Sequence, residues 1–361
     1  MHADTKYYIA CSAVPALRST RFFRLMSLCS GAEQVWNASV TTLCQAGCER
    51  QTAEMIIAQR SAIDPDALVE KIFALGISVV TCEDEAYPLL LRQIPARPYV
   101  LYYQGKLPLH GMHCIGIVGT RRTTEYGVQA TQHLVRDLTR AEFCIVSGLA
   151  RGIDSLVHKG CLEAGGITVA VLGTGVDTMS IYPRMNRYLA GEIIERGGCV
   201  VSEYPPGTAV QAYHFPARNR IISGMSKGII VVEAPQRSGA LITARHALDQ
   251  NRDIFAVPGS IYNPMSEGPN GLIKQGAIPV TSSLDICEHY EMKQQGTQQR
   301  IIMGENDAER LLLGILSHEP HTIDELCRMC HLDTKSVAST LLIMEVKRMV
   351  RNIGAMRYVK I

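Results

Sequence analysis

The stretch Cys114-Ile-Gly-Ile-Val-Gly-Thr-Arg-Arg-Thr-Thr124 decides the fold. A nearly continuous apolar run reads as a strand buried on both faces, and the Gly-Thr-Arg-Arg turn after it reads as a loop that opens a helix. The same pattern recurs downstream. Candidate strands are Cys114–Gly119, Phe143–Ser147, Thr168–Leu172, Cys199–Ser202, Gly228–Val232, Asp253–Val257 and Ala277–Thr281. Helical stretches lie between them at Glu125–Arg140, Ser155–Ala164, Asn186–Arg196, Asn219–Met225 and Leu241–Gln250. Strand and helix in alternation predict an α/β fold with a doubly wound parallel sheet, whose ligands meet the carboxyl ends of the strands.

The flanks have a different texture. Residues 1–80 read as short helices, with apolar residues at helical spacing in Leu17–Leu28 and Ala67–Leu75. Ile77–Val80 reads as a strand, and Pro95 and Pro98, which punctuate Tyr87–Arg92 and Pro98–Tyr103, favour extended edge segments. The α/β domain is expected over 81–290, and the Gln-rich stretch 291–304 reads as a linker. Residues 305–361 then give three helices and a hairpin, which is the winged-helix order. Thr322-Ile-Asp-Glu325 is a capping box for the second helix, and Asp333 caps the third. That third helix carries only Lys335 early on, so a protein contact suits it at least as well as DNA.

Composition narrows the classes. The 361 residues are 47% hydrophobic and 19% charged, which excludes wholesale disorder. With 36 Lys+Arg against 34 Asp+Glu, the net charge of +2 excludes a uniformly basic protein but allows one basic groove. The longest stretch free of charged residues is 15 residues, too short to span a membrane. No secretory signal is visible at the N-terminus, so the 12 cysteines are expected to be reduced thiols of a cytoplasmic protein. Cys327-Arg-Met-Cys330 has no second pair at zinc spacing, and no metal is expected.

The chemistry lies in the strand-end loops. They are Gly119–Thr124, Ser147-Gly-Leu-Ala-Arg-Gly-Ile-Asp154, Gly173–Asp177 with Tyr182-Pro-Arg-Met-Asn-Arg187, Ser202–Gly207 with His214-Phe-Pro-Ala-Arg-Asn-Arg220, and Glu233–Ala244. Each mixes Gly or Ser with Arg where a helix begins, a combination that suits anions. Gly173-Thr-Gly175 is an incomplete dinucleotide fingerprint, and no Walker loop is present. Gly224-Met-Ser-Lys-Gly228 leads into a strand, so Ser226 reads as an ordinary serine. Asp154 and His158 stand one helical turn apart and read as a structural pair, while Glu203 and Glu233 read as partners of nearby arginines. Several arginines along one edge suit a chain of phosphates, with Tyr182, Tyr204, Tyr213 and Phe215 available for stacking.

These motifs, taken in order with Val118–Arg121, Ser238–Ala244 and Val257-Pro-Gly259, resemble the DprA/Smf family of bacterial DNA-processing proteins. The resemblance implies an extended Rossmann domain between a small N-terminal domain of the SAM or helix-hairpin-helix type and a winged helix. It implies a homodimer without catalytic activity or cofactor that binds and protects single-stranded DNA in natural transformation. It also implies loading of RecA recombinase past single-strand-binding protein. By motif position the nucleic-acid contacts fall on Arg121, Arg122, Ser147, Gly148, Arg151, Arg184, Asn186, Arg187, Arg218, Asn219 and Arg220. The loop between Asp177 and Tyr182 is about two residues longer than the family spacing, which bears on the reach of Arg184 and Arg187. The competing readings are a nucleotide-processing enzyme, such as a nucleoside monophosphate phosphoribohydrolase, and a winged-helix regulator.

Overall fold

The computed structural model describes residues 4–292, 306–316, 320–347, 349–354 and 356–360. The chain divides into two units, Met1–Gln294 and Gln295–Ile361. In the first, helices α1 (Thr5–Ser12), α2 (Ser19–Met26), α3 (Ala32–Trp36), α4 (Val40–Gln45), α5 (Arg50–Arg60) and α6 (Pro65–Ala74) precede strand β1 (Ser78–Thr81). Helix α7 (Leu89–Arg92) and strand β2 (Val100–Gly105) follow. The alternating part then runs β3 (Cys114–Val118), α8 (Glu125–Arg140), β4 (Cys144–Ser147), α9 (Ile153–Glu163), β5 (Thr168–Leu172), α10 (Arg187–Glu195) and β6 (Cys199–Ser202). It continues with α11 (His214–Met225), β7 (Gly228–Val231), α12 (Gly239–Asp249), β8 (Asp253–Ala256), α13 (Glu267–Lys274), β9 (Ile278–Pro279) and α14 (Ser283–His289).

The strands form one sheet in the order β1-β2-β6-β5-β4-β3-β7-β8-β9. From β6 to β9 every pairing is parallel, while β1 and β2 add antiparallel strands beside β6. The chain winds outward from β3 to β6, then returns to β7 on the other side of β3, which makes β3/β7 the switch point. Alternation within the strands explains the two cores. In β7, Ile229 and Val231 face one hydrophobic cluster and Ile230 faces the other, as a two-residue period requires. One cluster contains α8 and α9 through Leu134, Val135, Leu138 and Val157. The other runs unbroken from Ile9, Phe22, Leu43 and Ile56 of the N-terminal helices to Tyr99, Tyr102, Ile221 and Ile222. The N-terminal helices therefore share a core with the sheet.

Two local expectations change. Tyr87–Arg92 is not extended, because Leu89–Arg92 forms a turn of helix. Pro88 sits at its N-cap, where a missing N–H costs nothing. Helix α11 starts at His214 rather than Asn219, since Pro216 lies in its first turn and is tolerated there for the same reason.

In the second unit, α15 (Asp307–Ile315), α16 (Ile323–Cys330) and α17 (Thr334–Val346) close on Leu312, Leu326, Val337, Leu341 and Met344. Thr322 and Glu325 complete a capping box, and Asp333 accepts from Ser336 N at 3.0 Å. The hairpin β11 (Val350–Asn352) and β12 (Arg357–Lys360) is joined by a short strand absent from the sequence reading, β10 (His321–Thr322), which pairs with β12. Cys330 is buried in the helical core of this unit. Apart from Glu291 and Met292, the expected linker lies outside the described residues.

Candidate nucleic-acid interface

Parallel pairing brings the loops that follow β3 to β8 to one edge of the sheet. After β3, Thr120 N donates to Glu233 O at 2.7 Å and Arg122 N donates to Thr120 Oγ1 at 3.2 Å. Thr124, the N-cap of α8, donates through its N to Glu233 Oε2 at 3.1 Å and through its hydroxyl to Glu233 Oε1. Glu233 therefore braces the β3–α8 turn at the switch point; its hydrogen-bond partner is a threonine, not the expected arginine. The turn leaves Arg121 and Arg122 exposed. The Arg121 guanidinium lies 5.7 Å from the centroid of Phe215, whose ring lies 5.8 Å from that of Tyr182.

After β4 the backbone turns sharply at Leu149 (φ 58°) and Gly152 (φ 78°). A β-carbon on Gly152 would collide with the carbonyl of Thr120, so glycine lets the two loops close on each other. Ile153 N then donates to Thr120 O at 3.1 Å, and Arg151 stands exposed at the start of α9. Ser147 is fully buried and donates its hydroxyl to Ile117 O at 2.7 Å.

The remaining motif residues divide by burial. Arg218 is 4% exposed, donates to Val171 O at 2.8 Å, and occupies the space that a side chain at Gly148 would need. Burial brings its guanidinium down to about 10. Burial raises the Asp154 carboxyl, and the positive charge of Arg218 is the largest opposing influence. Asp154 accepts from Ala150 N at 3.3 Å, while His158 bonds through Nδ1 to Thr168 Oγ1 at 2.8 Å. The expected Asp154–His158 contact is thus replaced by separate partners, and burial depresses the His158 imidazole to about 3. Asn186 is buried and donates to Leu149 O at 2.8 Å; Asn219 donates to Gly239 O at 3.1 Å. Arg220 pairs with Glu203 at 2.5 Å. These side chains hold the loops in register.

The long loop after β5 is also braced. Asp177 accepts from Gly207 N and Ser180 Oγ, both at 2.8 Å, and Arg187 donates to the carbonyls of Met179 and Ile181. Arg184 is left exposed beside Tyr182. The surface thus gathers Arg121, Arg122, Arg151 and Arg184 with Tyr182 and Phe215. Arg18 was not among the expected contacts; it comes from the N-terminal helices and lies 5.2 Å from the ring centroid of Tyr213. It belongs to no motif, and no local signal points to it. Among the described residues no cluster of His, Cys, Asp or Glu could hold a metal, and no helix is long and apolar enough to cross a membrane.

A doubly wound α/β sheet with cations and rings on its carboxyl edge, in one chain with a winged helix, defines a Rossmann-type class with an arginine-bearing loop edge. The family profile described as DNA recombination-mediator protein A matches residues 78–291, and the DprA winged helix domain matches 298–354. The chain belongs to the DprA/Smf family of DNA recombination mediators. Protein Smf of Synechocystis is 34% identical over 99% of each chain. DNA processing protein DprA of Bacillus subtilis is 45% identical over 59% of this chain and 71% of its own. The solved DprA of Streptococcus pneumoniae has a TM-score of 0.68 at 34% identity, covering 81% of this chain and 99% of that one. A Helicobacter pylori DprA, whose structure concerns its single-stranded DNA binding mode, has a TM-score of 0.53 at 28% identity, covering 60% of this chain and 95% of that one.

Proposed function

We propose that this chain is a non-enzymatic single-stranded DNA-binding protein that mediates recombination in the cytoplasm. The observation that carries the reading is the exposed Arg121 guanidinium over Phe215, whose ring neighbours Tyr182, with Arg122, Arg151 and Arg184 also exposed on loops of the same sheet edge. Guanidinium groups meet successive phosphates and rings take bases by stacking, and neither contact selects a base sequence. The binding mode described for the Helicobacter pylori relative supports the same ligand. In this reading the protein covers incoming strands during natural transformation and loads RecA recombinase past single-strand-binding protein. An enzyme reading is not favoured, because the Glu233 carboxylate is committed to Thr124 and Gly259 N donates to Asn270 Oδ1 at 3.2 Å. A mobility-shift titration against single-stranded and duplex DNA at two salt concentrations tests the proposal; preference for duplex would overturn it.

Two further expectations follow. Removing residues 306–361 leaves single-strand affinity essentially unchanged, because α17 offers Leu342, Ile343 and Val346 to solvent rather than a row of cations. Loss of binding on that deletion, read by the same titration, would relocate the site. For the homodimer, α12 exposes Ile242 and Leu248, the latter 69% exposed, beside an open groove that reaches Leu272 of α13. Leu248→Glu is expected to shift the mass measured by light scattering from dimer to monomer; an unchanged dimer would place the contact elsewhere.

A further inference from the structure

A cleft of ≈ 450 Å³ opens between the α1–α2 turn and the β6–α11 loop. Its position follows from topology. Strand β2 runs antiparallel to β6, so the segment entering β2 arrives at the same sheet edge as the DNA-facing loops. Tyr99 in that segment donates its hydroxyl to Leu17 O at 2.8 Å and stacks on Phe22 with centroids 3.9 Å apart. These contacts fix the α1–α2 turn there, with Arg18 exposed at the cleft mouth.

The cleft continues the ring surface of the interface. Tyr213 is half exposed under the Arg18 guanidinium and immediately precedes His214 and Phe215 at the start of α11. His214 in turn stacks on Tyr204 with centroids 4.0 Å apart. Arg220 also lines the cleft, where its Nη2 neutralises Glu203. An exposed cation and a half-exposed ring beside a cavity of this volume fit a nucleotide.

We propose that this cleft seats one nucleotide of the bound single strand beyond the Arg121–Phe215 cluster, with Arg18 on its phosphate and Tyr213 against its base. The N-terminal helices then form part of the DNA path. The inference rests on the single-stranded DNA reading and is separable from it by strand length. Fluorescence anisotropy of the full chain would compare oligothymidylates of about 5 and about 20 nucleotides, which bracket common single-strand site sizes. Arg18→Ala and Tyr213→Leu are expected to bind the short strand like the parent protein and the long strand roughly fivefold or more weakly, as loss of one stacked base predicts. Arg18→Lys retains most of the long-strand affinity, whereas Arg121→Ala weakens both lengths. Unchanged long-strand binding in both cleft variants would overturn the proposal, as would equal losses on both lengths. Saturable binding of thymidine monophosphate in the cleft that leaves the long strand bound would overturn it in favour of a free nucleotide. Failure of the parent protein to bind either strand would overturn the underlying reading together with the proposal.

Discussion

Replacing Arg121 and Arg122 together with alanine weakens single-stranded DNA binding by about a hundredfold or more, since each charge-assisted contact contributes roughly 1.5–3 kcal/mol. The loss is the same for every base sequence, because phosphate contacts do not discriminate among bases. Two fewer phosphate contacts also lower the slope of log affinity against log salt by about 1.4. Both side chains are exposed, and the turn that carries them is held by Thr120, Thr124 and Glu233. The variant therefore keeps its fold, and its thermal melt should match that of the parent. Removing Arg121 has a second consequence: the guanidinium no longer lies over Phe215, which loses a neighbour that helps fix its ring. Titration at several salt concentrations measures affinity and slope together. Unchanged affinity in the double variant would remove this edge as the interface.

Much of the sheet was legible because its strands are buried on both faces. Cys144–Ser147, Thr168–Leu172 and Cys199–Ser202 are apolar almost without interruption, and that pattern depends on no distant contact. The start of α11 was less legible, because Pro216 reads as a breaker until its place in a first turn is known. Site chemistry divided in the same way. Arg121 and Arg218 occupy equivalent-looking positions in strand-end motifs, yet one is exposed and the other buried. The difference arises at Gly148, whose missing side chain leaves the space that the Arg218 guanidinium fills, and a sequence motif does not state which neighbour a glycine makes room for. Arg18 was beyond local reasoning altogether, since the Tyr99–Leu17 contact that brings it to the edge spans 82 residues.

Arg218→Ala is expected to destabilise the protein by about 3–5 kcal/mol, the range for leaving a buried charge without compensation. Arg218 is 4% exposed and Asp154 is 7% exposed, so neither charge has bulk water to fall back on. Burial raises the Asp154 carboxyl, and Arg218 is the main charge that restrains this rise. Without it the carboxyl rises further, while the unfolded chain keeps the ordinary carboxylate value. Between those two values the folded state binds more protons than the unfolded state, so stability falls as pH rises. The variant should therefore be least stable relative to the parent near pH 7 and recover partly near pH 5. Urea unfolding at the two pH values measures this, and equal losses at both would exclude Asp154 as the stranded charge. Adding Asp154→Asn removes the stranded carboxylate and should restore part of the stability. That double variant also separates structure from binding. If Arg218 acts on DNA only by holding the loops, the folded double variant keeps the parent's salt slope; a slope lowered by about 0.7 would make Arg218 a phosphate contact despite its burial.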